Sequence, residues 1–423
     1  MKKKTGGAGE LTRRYFLKSV GIATGALAFG RFEVLAAEGP ISIGILSPMT
    51  GSLAAFGPFL TNACELAKDH VNQAGGPLGR ELKLLHRDDQ TDPTAGVDAA
   101  TKLVTIDKVP AIVGGFSSAV ALAAARPVID NQVVMICTAA TTPEITFLDD
   151  KDFIFRATIA NDAKGVAQAK VAKALGIKKA STIYVNNAYG RDLAVYFEKE
   201  MKEQGGAVPA AVPYDQGKPS YASEIEKVTK GEPEAVFVVG YVEDGITILR
   251  QMIGLGYKGK LLLGDGMKSP EMIQKIGAKY LEGASGVAPT SFSTDSRKFY
   301  EEAYKAKFKE APAKPFMDGA YDATIAIALA IHKAGKATGV AIRDNLRAVT
   351  NPPGVEVSAA ELKKAFELIG QGKDINYQGA SGVFDFDKYG STFTAIEIWK
   401  VENGEFKTVT KVNFDQIPAN LKM

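Results

Sequence analysis

Cysteine, histidine and tryptophan are scarce in this chain, whose 423 residues include two cysteines, three histidines and one tryptophan. A small secreted scaffold built on disulfides is dense in cysteine, so that class is excluded and the core has to form by packing. Cys64 falls in a helical pattern and Cys137 ends an apolar run. We therefore expect two buried free thiols, with a single bridge between them as the alternative.

The chain also lacks a surplus of charge of either sign. It has 51 basic and 48 acidic residues, a balance too even for a nucleic-acid binder. The small basic surplus is confined to the first 37 residues, which hold seven basic and two acidic groups. The remainder has 44 basic and 46 acidic residues, a net charge of −2.

Sequence signatures of catalysis and of metal binding are missing as well. The chain contains no HExxH or HxH pair, no GxSxG turn and no Walker phosphate-binding motif. His70, His86 and His332 are remote from one another in sequence, and we expect them at the surface or its boundary. The sequence therefore predicts no enzyme, no catalytic residue, no metal and no cofactor.

Two patterns imitate ligand sites but have simpler interpretations. Residues 254–259 satisfy GxGxxG, yet a helix precedes them and a strand follows, the reverse of a dinucleotide site, so they predict a helix-to-strand turn. Asp88, Asp89 and Asp92 crowd one loop without the glycine and distal glutamate of a calcium loop. Helix capping together with a solvated strand end explains these acids better.

The N-terminal segment has the layout of an export signal. A short apolar stretch at 19–30, below the roughly 20 residues that span a bilayer, is followed by small residues at 35–37. Residues 12–18, Thr-Arg-Arg-Tyr-Phe-Leu-Lys, resemble the twin-arginine (Tat) recognition sequence. The alternative is a surface helix with an ordinary arginine pair. We expect residues 1–37 to be a Tat-type signal peptide, without the cysteine that a lipid anchor requires.

After the signal, apolar β-rich runs alternate with helical patterns, which predicts parallel sheets covered by helices on both faces. A first series places strands at 41–46, 82–85, 111–113 and 133–136 and helices at 59–71, 93–106 and 119–129. A second places strands at 181–185, 207–212, 235–240 and 260–263 and helices at 192–204, 221–229, 244–253 and 270–276. Helices at 296–308, 317–333, 340–348 and 359–369 then precede an apolar run at 382–386 and two final strands, 393–401 and 406–409, without an evident packing partner.

Two loops at the carboxyl ends of predicted strands carry groups suited to an anion. Residues 114–119, Gly-Gly-Phe-Ser-Ser-Ala, leave the third strand and enter a helix, and residues 137–144 leave the fourth strand with several hydroxyls. Open α/β sheets bind ligands at these ends, and a helix N-terminus favours negative charge. The loops therefore indicate a carboxylate site, with two helix caps that bind nothing as the alternative.

Several motifs in a fixed order make the chain similar to a known family. They are 43–51 (IGILSPMTG), 75–80 (GGPLGR), 88–93 (DDQTDP), 114–118 (GGFSS), 138–143 (TAATTP), 187–190 (NAYG) and 319–323 (GAYDA). Together they resemble the leucine/isoleucine/valine-binding protein family, periplasmic receptors of ABC importers with the type I periplasmic binding protein fold. The resemblance covers nearly all of residues 40–411.

The resemblance implies an α/β fold of two doubly wound parallel-sheet lobes joined by a three-crossing hinge. The crossings would fall near 156–159, near 287–290 and after 386. The N-terminal lobe would comprise 38–157 plus 288–386, and the C-terminal lobe 158–287 plus 387–423. In this family the ligand lies between the lobes and hinge closure buries it.

The resemblance also assigns eight residues to the ligand site: Phe56, Ser118, Ala139, Ala140, Thr141, Tyr189, Tyr241 and Asp265. Ser118 and Thr141 match the hydroxyls that bind the ligand carboxylate, and Ala139 matches a carbonyl that accepts from its ammonium, with Ala140 in the same loop. Tyr189 and Tyr241 match aromatic positions on the opposite lobe, and Phe56 stands where the family often has a tyrosine. For Tyr189 and Tyr241, lobe-surface aromatics are the alternative.

Two departures from the family pattern are evident. Asp265 stands where branched-chain binders have a glutamate that pairs with the ligand ammonium, and aspartate is shorter by about 1.5 Å, which puts leucine itself in doubt. A simple turn before Gly266 is the alternative role for Asp265. Thr91 and Ser117 replace the two cysteines of the leucine-binding branch, so its disulfide is missing.

The resemblance thus implies a soluble, monomeric periplasmic solute-binding protein. It would bind a small amino acid, branched-chain or similar, and deliver it to ABC permease subunits after export by the Tat translocase. The alternatives are a receptor of the same fold for an amide, a urea or an aromatic carboxylate, and a Tat-exported α/β enzyme. A regulator or sensor of the same fold is a further alternative, although no DNA-binding segment or membrane span accompanies the predicted lobes.

Overall fold

A computed structural model describes residues 39–413 and residue 416. The predicted signal peptide at 1–37, with its twin-arginine motif, lies outside the described residues. The first described elements are β1 (Ile41–Ser47), α1 (Gly57–Gln73), β2 (Leu82–Asp88), α2 (Pro93–Thr105), β3 (Ala111–Gly114), α3 (Ser118–Asp130), β4 (Val134–Cys137) and β5 (Ile154–Arg156).

The strands β1 to β5 form one parallel sheet with the order β2-β1-β3-β4-β5. Every residue of β3 and β4 is buried, as expected for apolar runs covered by helices on both faces. The four strands predicted here are confirmed. β5 was not predicted, because three residues are too few to show periodicity.

The next elements are α4 (Asn161–Ala174), β6 (Ala180–Val185), α5 (Ala188–Glu203), β7 (Ala211–Tyr214), α6 (Ala222–Thr229), β8 (Ala235–Val239), α7 (Val242–Gly254), β9 (Lys260–Leu263), α8 (Pro270–Ile276), α9 (Ala278–Leu281) and β10 (Ser285–Thr290). The strands β6 to β10 and two late strands, β14 (Ala395–Glu402) and β15 (Glu405–Val412), build a seven-stranded sheet ordered β15-β14-β10-β9-β8-β6-β7. The predicted α/β alternation is confirmed in this second series.

The last elements are α10 (Asp295–Phe308), α11 (Met317–Ala334), α12 (Gly339–Thr350), β11 (Val355–Ser358), α13 (Leu362–Gly370), β12 (Ile375–Gly379), β13 (Gly382–Val383), β14 (Ala395–Glu402) and β15 (Glu405–Val412). The partner missing for the two final strands is β10, which pairs antiparallel with β14. β11, β12 and β13 form a small third sheet that the sequence did not predict.

Helix α11 connects the late helices to the first sheet. It is buried along nearly its whole length and packs against α1 and β3. A helix that is apolar all round belongs in a core. Among the described residues no single helix is long and apolar enough to cross a membrane, and α11 with α12 passes that test only as a pair bent by 105°.

Two halves of the molecule can be named by their sheets. The first half is the five-stranded sheet with α1, α2, α3 and α11, and the second half is the seven-stranded sheet with α4 to α8. The chain leaves the first sheet after β5 and reaches β14 after passing through the third sheet. The division into lobes at residues 157, 287 and 386 stays a prediction.

Several smaller predictions are confirmed. Cys64 and Cys137 are buried and free, and burial raises the pKa of each thiol to about 12. Residues 254–259 lead from the end of α7 into β9, as the turn interpretation requires. Asp92 caps α2 by accepting a hydrogen bond from the backbone N–H of Ala95 at 2.9 Å. The prediction of a solvated strand end is wrong for Asp89, which is fully buried.

The three histidines lie at the surface or its boundary, as expected. His70 and His332 are half-buried, and His86 is exposed. His70 Nδ1 lies 2.6 Å from the hydroxyl of Tyr321, and His332 Nδ1 accepts a hydrogen bond from the backbone of Leu78 at 3.0 Å. Within residues 39–413, no cluster of histidine, cysteine and acidic side chains suited to a metal ion occurs.

Candidate functional site

The N-terminus of α3 faces the space between the two halves because two glycines turn the chain there. Gly114 has φ +149° and Gly115 has φ +62°. A Cβ on Gly114 would lie 2.0 Å from the carbonyl oxygen of Leu46, so only glycine fits beside β1. Ser117 then caps α3 with extended backbone, but its side chain makes no capping bond. The first-turn N–H groups of α3 are left without a side-chain cap.

Ser118 joins the two loops that the sequence singled out. Its buried hydroxyl accepts hydrogen bonds from the backbone N–H groups of Thr141 at 3.1 Å and Thr142 at 3.3 Å. Arg156 supports the same loop by donating to the Thr142 carbonyl at 2.9 Å. The loop after β4 is thereby fixed against the start of α3.

The hydroxyl of Thr141 is an unpaired group in this arrangement. Thr141 is fully buried, and its Oγ1 has no hydrogen-bond partner among the described residues. A buried polar group without a partner costs about 1–3 kcal/mol. An acceptor entering the site would remove that cost.

Two stacked tyrosines of the second half oppose these loops. The rings of Tyr189 and Tyr241 lie 5.6 Å apart at an interplanar angle of 15°, and both residues are buried. The hydroxyl of Tyr241 accepts a hydrogen bond from Asn187 Nδ2 at 3.1 Å and lies 3.5 Å from the hydroxyl of Ser117. Burial raises the pKa of Tyr241 to about 12, so it stays a neutral hydroxyl.

Asp265 is held by groups of its own chain on both carboxylate oxygens. Its Oδ1 accepts hydrogen bonds from the Tyr189 hydroxyl at 2.7 Å and from the Gly266 N–H at 3.2 Å. Its Oδ2 accepts from Lys164 Nζ at 2.5 Å. The side chains of Lys164 and Asp265 are 0% and 2% exposed, so this ion pair is buried.

Lys164 reaches Asp265 from the first turns of α4, and its ammonium lies 5.4 Å from the ring centre of Tyr189. Burial lowers the pKa of Lys164, while the attraction of Asp265 acts in the opposite direction. Lys164 was not predicted as a site residue. A single lysine in a weakly patterned helix gives no signal that it is buried.

These groups surround a small cavity between the halves. Its volume is about 20 Å³, and the described residues that line it are Leu53, Phe116, Ser117, Ser118, Ala139, Tyr189, Tyr241, Asp265, Gly266 and Phe316. A site of this volume holds about one water molecule. A solute of several heavy atoms is larger than this space.

Five of the eight residues assigned from the sequence line this cavity: Ser118, Ala139, Tyr189, Tyr241 and Asp265. The other three do not. Ala140 is buried beside the cavity, Thr141 contacts Ser118, and Phe56 lies behind Phe116 with ring centres 5.3 Å apart.

Further lining residues were not predicted as site residues: Leu53, Phe116, Ser117, Gly266 and Phe316. Phe116 and Ser117 lie within the loop 114–119 that was singled out, so that loop was their signal. Phe316, just before α11, reaches the cavity only through tertiary packing, with its ring centre 5.6 Å from that of Phe116.

Polar contacts between the halves frame the cavity. Thr142 Oγ1 donates to Asp192 at 2.5 Å, and Arg191 pairs with Glu144 at 2.7 Å. Further along the cleft, Lys314 Nζ pairs with Glu271 at 2.8 Å. Each contact joins one residue of the first half to one of the second.

Comparison with known proteins gives a consistent result. A family model described as periplasmic binding protein matches residues 40–360. The leucine-, isoleucine-, valine-, threonine-, and alanine-binding protein of Pseudomonas aeruginosa is 30% identical over 312 residues, 73% of this chain and 83% of that protein. The chemotactic signal transduction system substrate-binding protein BasB of Halobacterium salinarum is 27% identical over 383 residues, 88% of this chain and 90% of that protein.

Among solved structures, the leucine binding protein LivK of Thermotoga maritima superposes with a TM-score of 0.76 at 27% identity. The likeness covers 89% of this chain and 99% of that one. It confirms the fold that the sequence resemblance implied, in which two sheets are each covered by helices.

Proposed function

The chain belongs to the periplasmic binding protein family, and from that premise we propose that it is the solute-binding protein of an ABC importer. It binds a small organic carboxylate in the cavity between its halves and passes it to membrane permease subunits. The observation that carries the proposal is the cavity itself, lined by Ser118 and Ala139 from one half and by Tyr189, Tyr241 and Asp265 from the other.

The carboxylate is bound by the first half. Its negative charge lies at the N-terminus of α3, where the helix dipole and the uncapped N–H groups favour an anion. The unpartnered hydroxyl of Thr141 supplies a further donor. Hydrogen bonds to a charged group contribute about 1.5–3 kcal/mol each, so a few of them account for micromolar binding.

Binding is coupled to closure because the second half completes the site. The lobes proposed at 38–157 plus 288–386 and 158–287 plus 387–423 open at three chain crossings to admit the solute. The solute then stabilises the closed form by contacting both lobes, and the permease recognises that form. No covalent bond is made or broken in this cycle.

The resemblance names a small amino acid, branched-chain or similar, as the solute, and relatives named as leucine-, isoleucine- and valine-binding proteins support that class. An amide, a urea or an aromatic carboxylate is the alternative within the fold. These classes differ in the group that the solute places next to Asp265. Lys164, which pairs with Asp265, affects which of these groups can bind there.

Isothermal titration calorimetry of the purified protein against amino acids, amides and carboxylic acids tests the proposal. A solute at 100 times its Kd adds about 2.7 kcal/mol to the free energy of unfolding, so a thermal-shift screen finds candidates first. We expect at least one carboxylate to bind and to raise Tm. If bound cofactor absorbance accompanied the purified protein and no small solute bound, the Tat-exported enzyme would be the better interpretation.

Export by the Tat translocase is part of the same proposal and rests on residues 12–18. Replacing Arg13 and Arg14 by lysine keeps the charge of the segment and removes the paired arginines. We expect the precursor of that variant to accumulate in the cytoplasm, while the unchanged chain is found outside it as a monomer. Cell fractionation with size-exclusion chromatography measures both.

A further inference from the structure

Lys164 is a cationic partner of Asp265 that belongs to the protein itself. It donates to Asp265 Oδ2 at 2.5 Å, while Tyr189 and Gly266 donate to Oδ1 at 2.7 and 3.2 Å. Lys164 does not line the cavity, whereas Asp265 does. The carboxylate of Asp265, which lines the cavity, is therefore already paired with a cation that lies outside the cavity.

We infer that the solute of this cleft carries a carboxylate but no ammonium group. The inference rests on the proposed function, since it concerns the chemistry of the same site. A 2-oxo acid, an aliphatic acid or an aromatic acid meets this requirement, and a free amino acid does not.

The charges around the cavity support this assignment. Asp265 is the one acidic side chain among the described residues that line the cavity. Lys164 also lies within electrostatic reach of Arg156 and Asp162, so two cations and two anions surround this side of the site. A solute ammonium would be a third cation, close to Lys164. It would lose its hydration on entering the cavity, and the nearby carboxylate of Asp265 is already paired, so its binding would be unfavourable.

The walls of the cavity indicate the rest of the solute. Leu53, Phe116 and Phe316 line it with apolar surface, and Phe56 packs behind Phe116. Tyr189 and Tyr241 complete an aromatic enclosure. The site therefore suits an apolar body attached to one carboxylate.

Matched pairs of solutes that differ only in the ammonium group test the inference. L-phenylalanine is compared with 3-phenylpropanoate, and L-leucine with 4-methylpentanoate, by calorimetry on the whole protein. In each pair that binds, we expect the acid without the ammonium to bind more tightly by about tenfold or more.

Substitution of the lysine gives a second, directional readout. Lys164→Met keeps the length of the side chain and leaves Asp265 unpaired, so the preference is expected to shift by about tenfold towards the amino acid. In Lys164→Met with Asp265→Asn the anion is gone as well, and the preference is expected to return to the acid. Lys173→Met, on the exposed face of the same helix, is the matched control and is expected to change nothing.

A merely structural lysine would weaken both members of a pair equally, which would contradict the inference. So would tighter binding of either amino acid to the unchanged protein, although the proposed function would then stand. If no carboxylate or amino acid bound at all, the proposed function would fail together with the inference. The comparison on the unchanged protein decides the question even if Lys164→Met does not fold.

Discussion

Lys314 and Glu271 form an ion pair that joins the two halves of the molecule. The Lys314 ammonium lies 2.8 Å from Glu271 Oε1, with a fully buried lysine side chain and a carboxylate that is 31% exposed. The same ammonium donates to the carbonyl of Ala55 and lies 4.1 Å from the ring centre of Phe59. Lys314 precedes α11 in the first half, and Glu271 is the second residue of α8 in the second. The pair therefore exists only when the halves are together.

Lys314→Met is expected to weaken solute binding without removing it. The substitution keeps most of the apolar stem but deletes the ammonium, so the closed form loses about 1–2 kcal/mol and Kd rises about 5- to 30-fold. Most of that change should appear in the dissociation rate, because closure retains the solute. Calorimetry and stopped-flow measurements give both quantities.

The control for that experiment is Lys307→Met. Lys307 in α10 pairs with Asp69 in α1 at 2.5 Å, and α10 packs against α1 of the first half, so this pair does not join the two halves. Solute affinity should stay within about twofold of the unchanged protein, since exposed pairs contribute little. An equal loss of affinity in both variants would argue against the role of Lys314 in closure.

Thr141→Val should separate solute binding from stability. Valine has nearly the shape of threonine, so the variant loses the unpartnered hydroxyl and keeps the packing. If that hydroxyl donates to the solute carboxylate, Kd rises about 10-fold or more, while Tm stays equal or increases because an unsatisfied buried group is gone.

Thr182→Val provides the comparison for this prediction. Thr182 is also fully buried with an unpartnered hydroxyl, but it lies in β6, whereas Thr141 lies in the loop bound to the cavity-lining Ser118. Its replacement should change Tm in the same direction and leave Kd unchanged. Unchanged affinity in Thr141→Val would remove Thr141 from the binding site.

Gly114→Ala, at the start of the loop that forms the site, should lower the free energy of unfolding of the protein. The backbone at φ +149° disfavours any side chain, and the added Cβ would lie 2.0 Å from the Leu46 carbonyl oxygen. We expect a loss of about 2–4 kcal/mol in the free energy of unfolding, measured with urea. Gly176→Ala, at φ +74° with no atom within 4 Å of the added Cβ, should cost only about 1 kcal/mol.

Much of the fold could be predicted from the sequence because its central strands are buried on both sides. Strands such as β3 and β8 are apolar throughout, and helices at regular spacing separate them. The third sheet escaped prediction for the opposite reason. Its strand β11 is short and largely exposed, and β13 has two residues, so neither carries a periodic pattern.

The candidate site was predicted only where one loop or one strand end carries the chemistry. Ser118 and Ala139 lie in loops whose position follows from the sheet. Lys164 and Phe316 reach the site from α4 and from the residue before α11, which are distant in sequence from those loops. Only tertiary packing brings these two residues to the site, and the local pattern of apolar and polar residues does not predict that packing.

Asp89 should make the stability of the protein depend on pH. It is fully buried, and Oδ2 has no hydrogen-bond partner among the described residues, so burial raises its pKa to about 7 although Thr91 donates to Oδ1. The folded state therefore holds a proton between about pH 4 and 7 that the unfolded state has released. Stability contributed by this group is present at low pH and is lost as the pH rises towards 7.

Asp89→Asn removes the ionisable group and shows whether Asp89 raises or lowers the stability of the protein as the pH increases. The variant cannot ionise, so its Tm relative to the unchanged protein should increase as the pH is raised from 5 to 8, by the equivalent of about 1 kcal/mol or more. Asp92→Asn is the matched control, because Asp92 is exposed and asparagine caps a helix equally well, so its difference in Tm should not vary with pH. A difference for Asp89→Asn that stays flat across this range would show that Asp89 is ionised in the folded protein throughout. Its unpartnered oxygen would then have to be solvated, since a dry unpaired carboxylate in that position would be too costly to keep.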